Sequence, residues 1–380
     1  MKTGDFSSVH LVLFFSRNVS LALWDWVGMI EREVALYKRL QKYGIRISFI
    51  TYGNQADLSY SGLIPGIQIL CNRWRLPRRW FEILVPFLFA KALKSCTVIK
   101  TNQIDGAEVA IRSARIWKKP CIARCGYMFS YVMSRLYGEE SAKARHSLEV
   151  ERRVFTGASV IVVTTVEMQR DVEKRKLSGT PRIVVIPNYV CTDQFAPQHV
   201  KKDFDVVFVG RLSKEKNIAA LLEVVKQLRL KALIIGTGEL KQSLQEAYGT
   251  LGGLVQWHDR VPSRELPAQM NRTTLFVLPS LFEGHPKTLI EAMACGLPVI
   301  GANSPGIREI IRDGENGLLC GVDVGSIQET VTKLLKDPEL QQRLARNARD
   351  FVVENFSLNR IVEKELSLLE VYGRPGNDVG

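Results

Sequence analysis

Little in this sequence could hold a metal ion or staple a chain. Its five histidines, His10, His146, His199, His258 and His285, show no HExxH or comparable ligand spacing. Its seven cysteines, at positions 71, 96, 121, 125, 191, 295 and 320, are an odd number with no close CxxC pair. That argues against a disulfide framework and for reduced, mostly buried thiols. Long apolar runs are missing as well. The most apolar stretch, 81–93, is broken by Glu82, Pro86 and Lys91, short of the roughly 18 apolar residues a membrane span requires. Asp5 precedes the apolar segment Leu11 to Phe15 and no small-residue cleavage site follows, so that segment reads as a first strand rather than a signal peptide. The expectation is a cytoplasmic protein without a bound metal, peripheral at most on the cytoplasmic face of a membrane.

What is present is an ordinary globular composition, 46% hydrophobic and 24% charged, over 380 residues. That length exceeds what one hydrophobic core usually organises, so two domains are expected. The net charge of +13 is uneven. Residues 1–190 hold 29 Lys and Arg against 15 Asp and Glu, a balance of +14, whereas residues 191–380 hold 23 against 24, a balance of −1. A basic first half would suit nucleic acid, an anionic membrane or a phosphate-bearing acceptor. No zinc-finger, RRM-like or recognition-helix pattern accompanies the charge, so nucleic acid is set aside. Arg73, Arg75, Arg78 and Arg79, interleaved with Trp74, Trp80 and Phe81 ahead of an apolar helix, favour an anionic interface.

Short apolar runs alternate with helix-period segments along the whole chain, the pattern of parallel sheets covered by helices on both faces. In the first half the strands read as 10–15, 45–51, 97–100, 120–123, 159–164 and 183–187, with a helix over about 28–43. Residues 187–204, with two prolines and a polar run, read as a linker. A second series follows, with strands at 205–209, 232–235, 254–257, 275–278 and 298–301 and helices at about 325–335, 338–354 and 359–372. The fold class expected is α/β, two Rossmann-like doubly wound lobes with a cleft between them. The lobes are placed at 1–190 and 205–355, joined by a linker at 191–204, with a C-terminal helix at 356–380 that could return to the first lobe.

Three blocks in the second series carry chemistry. Gly210 ends the first strand of that series, and Arg211 and Lys216 put two cations where the chain turns toward a helix, a setting that suits a diphosphate. Gly236-Thr237-Gly238 marks a second strand-to-helix turn, but position 241 is Lys where a dinucleotide fingerprint needs its third glycine. The longest block runs from Pro279 to Ile300. In it Glu283 and Glu291, eight residues apart, straddle a loop and a helix start and can address different hydroxyls of one ligand. The amides of Thr288 and Leu289 at that helix start can bind phosphate.

These blocks resemble the donor lobe of the family 4 retaining glycosyltransferases, whose two-lobe fold is called GT-B. The shared pattern is G-R-L-x-x-E-K after a strand, then G-x-G, then E-x7-E followed by A-M-A-C-G-x-P-V-I, with Gly306-Ile307-Arg308-Glu309 and Asp313-Gly314-Glu315-Asn316-Gly317 completing it. The resemblance spans about 183–322 and is faint before that. It implies transfer of a sugar from a nucleoside diphosphate sugar to a hydroxyl of a glycan or lipid-linked acceptor, with retention and without a metal cofactor. Arg211, Lys216 and Glu283 would be the catalytic groups: the two cations on the diphosphate, the carboxylate on the transferred sugar. Gly210, Gly236, Gly238, Gly284, Thr288 and Leu289 would line the donor, Glu291 would bind the ribose, and Arg260 and Val261 would contact the base through the backbone. His285 stands where the family usually has an aromatic residue beside the sugar, which makes it a candidate for donor choice. In the first lobe Gly28, after Trp24-Asp25-Trp26 in the first strand-to-helix loop, and Lys100-Thr101-Asn102-Gln103 would face the acceptor side. The histidine that many relatives carry after a central strand is missing from 120–127, where Arg124 is the nearest substitute.

Two readings from other classes, and a nearer enzyme rival, fit less well. A nicotinamide oxidoreductase needs a phosphate fingerprint with a carboxylate about 20 residues on, which neither lobe's first turn supplies. A catalytically inactive two-lobe binding protein would be expected to have lost Arg211, Lys216 or the glutamate pair. A glycan phosphorylase would need a pyridoxal-phosphate lysine site or a much longer chain.

Overall fold

The computed structural model describes residues 5–177, 179, 181–249 and 253–374. The chain divides into two compact units, residues 1–187 together with 362–380, and residues 188–361.

The first unit is built on a seven-stranded sheet. Its strands are β1 (His10–Phe14), β2 (Arg46–Ile50), β3 (Ile67–Leu70), β4 (Val98–Thr101), β5 (Cys121–Cys125), β6 (Val160–Val163) and β7 (Arg182–Val185), in the order β3-β2-β1-β4-β5-β6-β7. Every pairing is parallel. Central strands such as Val160–Val163 are buried at every residue, as expected where helices cover both faces. The edge strand Ile67–Leu70 has no counterpart in the sequence reading. It is short, interrupted by Gln68 and only partly buried, so it lacks the continuous apolar run that marks its neighbours.

The second unit repeats the plan with β8 (Phe204–Val209), β9 (Ala232–Ile235), β10 (Val255–His258), β11 (Thr273–Leu278), β12 (Val299–Ala302) and β13 (Leu318–Cys320), in the order β10-β9-β8-β11-β12-β13, again all parallel. The three-residue edge strand β13 is the one the sequence reading passes over. In each sheet the chain first winds one way from its opening strand and then crosses back to continue on the other side. The reversal lies between β1 and β4 in the first unit and between β8 and β11 in the second. In open parallel sheets that reversal leaves a crevice at the strands' carboxyl ends, the usual ligand position.

Three sequence expectations are corrected. The segment read as a linker, 191–204, is fastened into the second unit: Phe195 is buried, Gln194 Nε2 donates to the Ser263 carbonyl at 2.8 Å, and Asn271 bonds both the Gln198 amide and the Ala196 carbonyl. Trp24-Asp25-Trp26 lies on a short helix, Leu21–Trp26, and not in a loop. Ser20 caps that helix, and the buried Asp57 carboxylate accepts from the Leu21 and Ala22 amides. Lys100, expected to face a ligand, is fully buried. Its Nζ lies 2.5 Å from Glu365 Oε1 on the final helix, Leu358–Tyr372, which belongs to the first unit from Val362 onward. The last six residues, 375–380, of the expected C-terminal segment lie outside the described residues.

Candidate donor site in the second unit

The loops that follow β8 and β11 meet at the reversal point of the second sheet. Gly210 to Lys216 leave β8, and 279–286 leave β11 and lead into the helix Lys287–Ala294. There the Lys216 Nζ lies 2.6 Å from Glu283 Oε1, with 18% and 11% of the two side chains exposed. The sequence reading gave these residues separate partners, a diphosphate and a sugar, and the structure joins them directly. A pair this close and this shielded orders both side chains more firmly than a surface ion pair would. It also leaves an ammonium able to exchange one anionic partner for another.

Hydrogen bonds tie the loop after β11 to the loop after β8 and to the segment after β12. The Leu281 amide donates to the Glu215 carbonyl at 2.8 Å, the Glu283 amide to the Pro305 carbonyl at 3.0 Å, and Ser304 Oγ to the Ser280 carbonyl at 2.8 Å. Gly306 has φ +79, and a Cβ there would lie 2.3 Å from the Gly284 carbonyl oxygen and 2.5 Å from that of Glu283. Only glycine fits against the loop that presents Glu283. Ser213 Oγ donates to Glu215 Oε1 at 2.5 Å, closing the turn between Arg211 and Lys216. Ser213, Glu215, Ser280, Ser304 and Pro305 are absent from the sequence-derived site. They touch backbone and loop in this structure, and no local pattern announces contacts such as Leu281 to Glu215 or Glu283 to Pro305 between segments far apart in the chain.

The Gly236-Thr237-Gly238 turn stands beside them. The Gly210 amide donates to Ile235 O and the Leu212 amide to Thr237 O, while the Gly236 amide donates to His258 O. A Cβ on Gly236 would come within 1.8 Å of the Gly210 carbonyl oxygen, and one on Gly238 within 2.2 Å of that of Leu212. These glycines are required by loop-on-loop packing, a role distinct from the ligand approach expected of them. The His258 carbonyl brings the segment after β10 to the same edge, where Arg260 is exposed and Val261 half-buried, and Lys241 pairs with Asp259 at 2.5 Å.

The helix Lys287–Ala294 begins after Pro286, which supplies no capping side chain. The Thr288 and Leu289 amides therefore face the helix N-terminus without an acceptor from the Pro286 side chain, a setting for an anion. Arg211 is exposed at the same strand end. Glu291, one turn into the helix, has no exposed surface, unlike Glu283. His285 is turned into the unit: its ring meets Phe356 edge-on at 4.8 Å between centroids, and 6% of the residue is exposed. Its carbonyl accepts from Asn188 Nδ2 at 2.7 Å. In this setting the His285 ring and carbonyl hold the loop to Phe356 and Asn188.

In the first unit Asn102 and Arg124, two residues expected on the acceptor side, meet near the β1/β4 reversal. The Asn102 amide donates to Phe14 O, and Arg124 Nη1 reaches Asn102 O at 3.4 Å. Gly28, at φ +73, closes the turn after Leu21–Trp26 through its amide to Asp25 O. Six of the seven cysteines are buried. Burial pushes the thiols of Cys96, Cys121, Cys295 and Cys320 up to about 12, which leaves them protonated and unreactive. Among the described residues no group of three or more His, Cys, Asp or Glu side chains is placed to hold a metal ion. No helix among them is long and apolar enough to cross a membrane.

Comparison with known proteins agrees with this geometry. Residues 192–351, which include both loops of the site, match the family model described as glycosyl transferases group 1. The alpha-maltose-1-phosphate synthase of Mycolicibacterium smegmatis is 24% identical over 288 residues, covering 63% of this chain and 74% of that protein. Sucrose-phosphate synthase from Thermosynechococcus elongatus superimposes with a TM-score of 0.79 at 20% identity, covering 95% of this chain and 98% of that one. An Anabaena protein crystallised with UDP and glucose superimposes with a TM-score of 0.75 at 17% identity, over 95% and 99% of the two chains. These likenesses establish the GT-B fold of two Rossmann-like lobes. The segment that holds the Lys216–Glu283 pair lies within the residues that match the group 1 glycosyltransferase model, and over that segment the chain resembles this family.

Proposed function

We propose that the chain is a family 4 retaining glycosyltransferase that moves a sugar from a nucleoside diphosphate sugar to a hydroxyl of a glycan or lipid-linked acceptor. The observation that carries this reading is the Lys216–Glu283 pair at the reversal point of the second sheet, beside an uncapped helix start. The diphosphate is taken by the Thr288 and Leu289 amides, with Lys216 and Arg211 on its charge. As it arrives, Lys216 turns from Glu283 to phosphate, and Glu283 is released to hydrogen-bond hydroxyls of the sugar. The cations and amides then stabilise the departing phosphate without a metal ion. That phosphate accepts the acceptor's proton while the hydroxyl attacks the same face of an oxocarbenium-like centre. The two carboxylates are thus not the acid and nucleophile of a glycosidase, which would flank the scissile bond. Asn102 and Arg124 in the first unit serve the acceptor side. A nucleotide sugar as donor is supported by the Anabaena neighbour, whose structure was solved with UDP and glucose.

The division of labour between the carboxylates supplies the test. Glu283→Gln is expected to weaken binding of a nucleotide sugar while sparing the free nucleoside diphosphate, because only the former presents sugar hydroxyls. Glu291→Gln is expected to weaken both. Calorimetry with UDP against UDP-glucose, and GDP against GDP-mannose, measures it, and melting curves separate a lost contact from a loosened helix around the buried Glu291. Equal losses for both ligands in both variants would remove the division.

A further inference from the structure

The helix Arg78–Leu88 in the first unit is apolar on two sides. Phe81, Val85 and Pro86 are buried, and the Trp117 indole donates to the Pro86 carbonyl at 2.9 Å, which seats the inner side. On the outer side Trp80, Ile83 and Phe87 are 60%, 49% and 62% exposed. Their i, i+3, i+7 spacing sets them in one ridge along the helix. Single exposed apolar residues are ordinary, but three large ones aligned on one short helix are an unpartnered face. Exposed Arg73 and Arg75 precede this helix in the chain, exposed Arg78 and Arg79 open it, and exposed Lys91 and Lys94 follow it. Trp74, 41% exposed, lies under the Arg73 guanidinium at 4.6 Å. Glu82 is the one acid of the helix, and Arg17 holds it at 3.0 Å. Beside the ridge, Leu58, Ile69, Leu70, Trp74 and Phe89 line a hollow of about 260 Å³, with Arg73 and Lys91 also in its wall.

We propose that this face docks the protein on the surface of an anionic lipid bilayer, with the Trp80–Ile83–Phe87 ridge among the acyl chains and the six cations at the headgroups. An aromatic and aliphatic ridge flanked by arginine and lysine is the composition of a helix lying in the interfacial plane. The chemistry also separates a bilayer from a soluble polyanion. Phosphates or acidic sugars in solution would satisfy the cations but would leave Trp80, Ile83 and Phe87 in water. The concentration of positive charge in residues 1–190 points the same way, since each cation near an anionic leaflet adds attraction that salt screens.

The test is sedimentation of the whole chain with vesicles, in the absence of nucleotide sugar. The parent is expected to bind vesicles of phosphatidylglycerol and phosphatidylcholine, to ignore pure phosphatidylcholine, and to be released by salt. Arg73→Gln, Arg75→Gln, Arg78→Gln and Arg79→Gln together are expected to weaken partitioning at least about 100-fold at low salt. Trp80→Ser, Ile83→Ser and Phe87→Ser together are expected to weaken it comparably while keeping the salt-sensitive remainder. Brominated acyl chains are expected to quench the parent's fluorescence more than that of Trp80→Phe. Circular dichroism confirms that each variant is folded. No binding by the parent, binding unchanged in both multiple variants, or binding to a soluble acidic polysaccharide with none to vesicles would each overturn the proposal. Because no donor is present, failure here leaves the glycosyltransfer reading standing, and failure of turnover leaves the docking face standing.

Discussion

Lys216→Ala is expected to slow sugar transfer at least about 100-fold, and Arg211→Ala by a similar factor, while both proteins remain folded. A preorganised donor to the charge that develops in a transition state is typically worth about 2.7–4 kcal/mol, and each 1.36 kcal/mol is tenfold in rate. In the proposed mechanism both cations meet the charge that the leaving diphosphate gains. Neither lies in the core: Arg211 is exposed, and the Lys216 side chain keeps 18% of its surface in solvent. Lys216→Ala also removes the partner of Glu283, so some loss of stability accompanies it, and Arg211→Ala serves as the variant free of that effect. Initial rates of nucleotide release with saturating donor, set beside melting curves, make the measurement. Near-parental turnover in both variants would dissociate these cations from the leaving group.

Lys100→Met is expected to destabilise the first unit by about 3–5 kcal/mol, the usual cost of stripping a buried charge of its partner. Lys100 is fully buried on β4, and Glu365 is 1% exposed on the final helix. Burial pulls the Lys100 ammonium down from its ordinary range, and the neighbouring Glu365 carboxylate opposes that shift. Glu365 Oε2 has no hydrogen-bond partner, so once Lys100 is gone little remains to hold the carboxylate's charge. Lys100→Met combined with Glu365→Leu is expected to recover most of the loss, because two apolar side chains replace the pair without leaving a charge behind. Urea unfolding followed by tryptophan fluorescence reads this chiefly in the first unit, which holds Trp24, Trp26, Trp74, Trp80 and Trp117, with Trp257 alone in the second. A single variant as stable as the parent, or a double variant no better than the single, would show that the pair does not fasten the helix.

That pair also marks where sequence reading stops. Lys100 follows an apolar run and precedes Thr101-Asn102-Gln103, so strand alternation alone cannot say whether it points to solvent or to an acid 265 residues away. The central strands were legible because a parallel sheet covered on both faces forces continuous apolar runs. Edge strands Ile67–Leu70 and Leu318–Cys320 escape that constraint on one side and lose the signal. The candidate-site residues were legible as local strings, G-R-L-S-K-E-K and E-x7-E. That Lys216 and Glu283 touch across 67 residues follows from the crossover between β8 and β11 and from loop contacts such as Leu281 to Glu215. The exposed ridge of Trp80, Ile83 and Phe87 was hidden for the opposite reason. Apolar residues on both sides of one helix read in sequence as a buried segment, and only the packing shows which side has a neighbour.

The most direct measurement of the central claim is a thermal-shift screen of the whole chain against UDP, GDP, ADP and their sugars in EDTA, with nucleotide release followed for any sugar that binds. One nucleotide series is expected to raise stability by about 2.7 kcal/mol at 100 times its dissociation constant. In that series the nucleotide sugar is expected to be turned over with the metal chelated, and Arg211→Ala to lose the turnover. Stabilisation by none of them, or turnover that requires a divalent ion and persists in Arg211→Ala, would contradict the account.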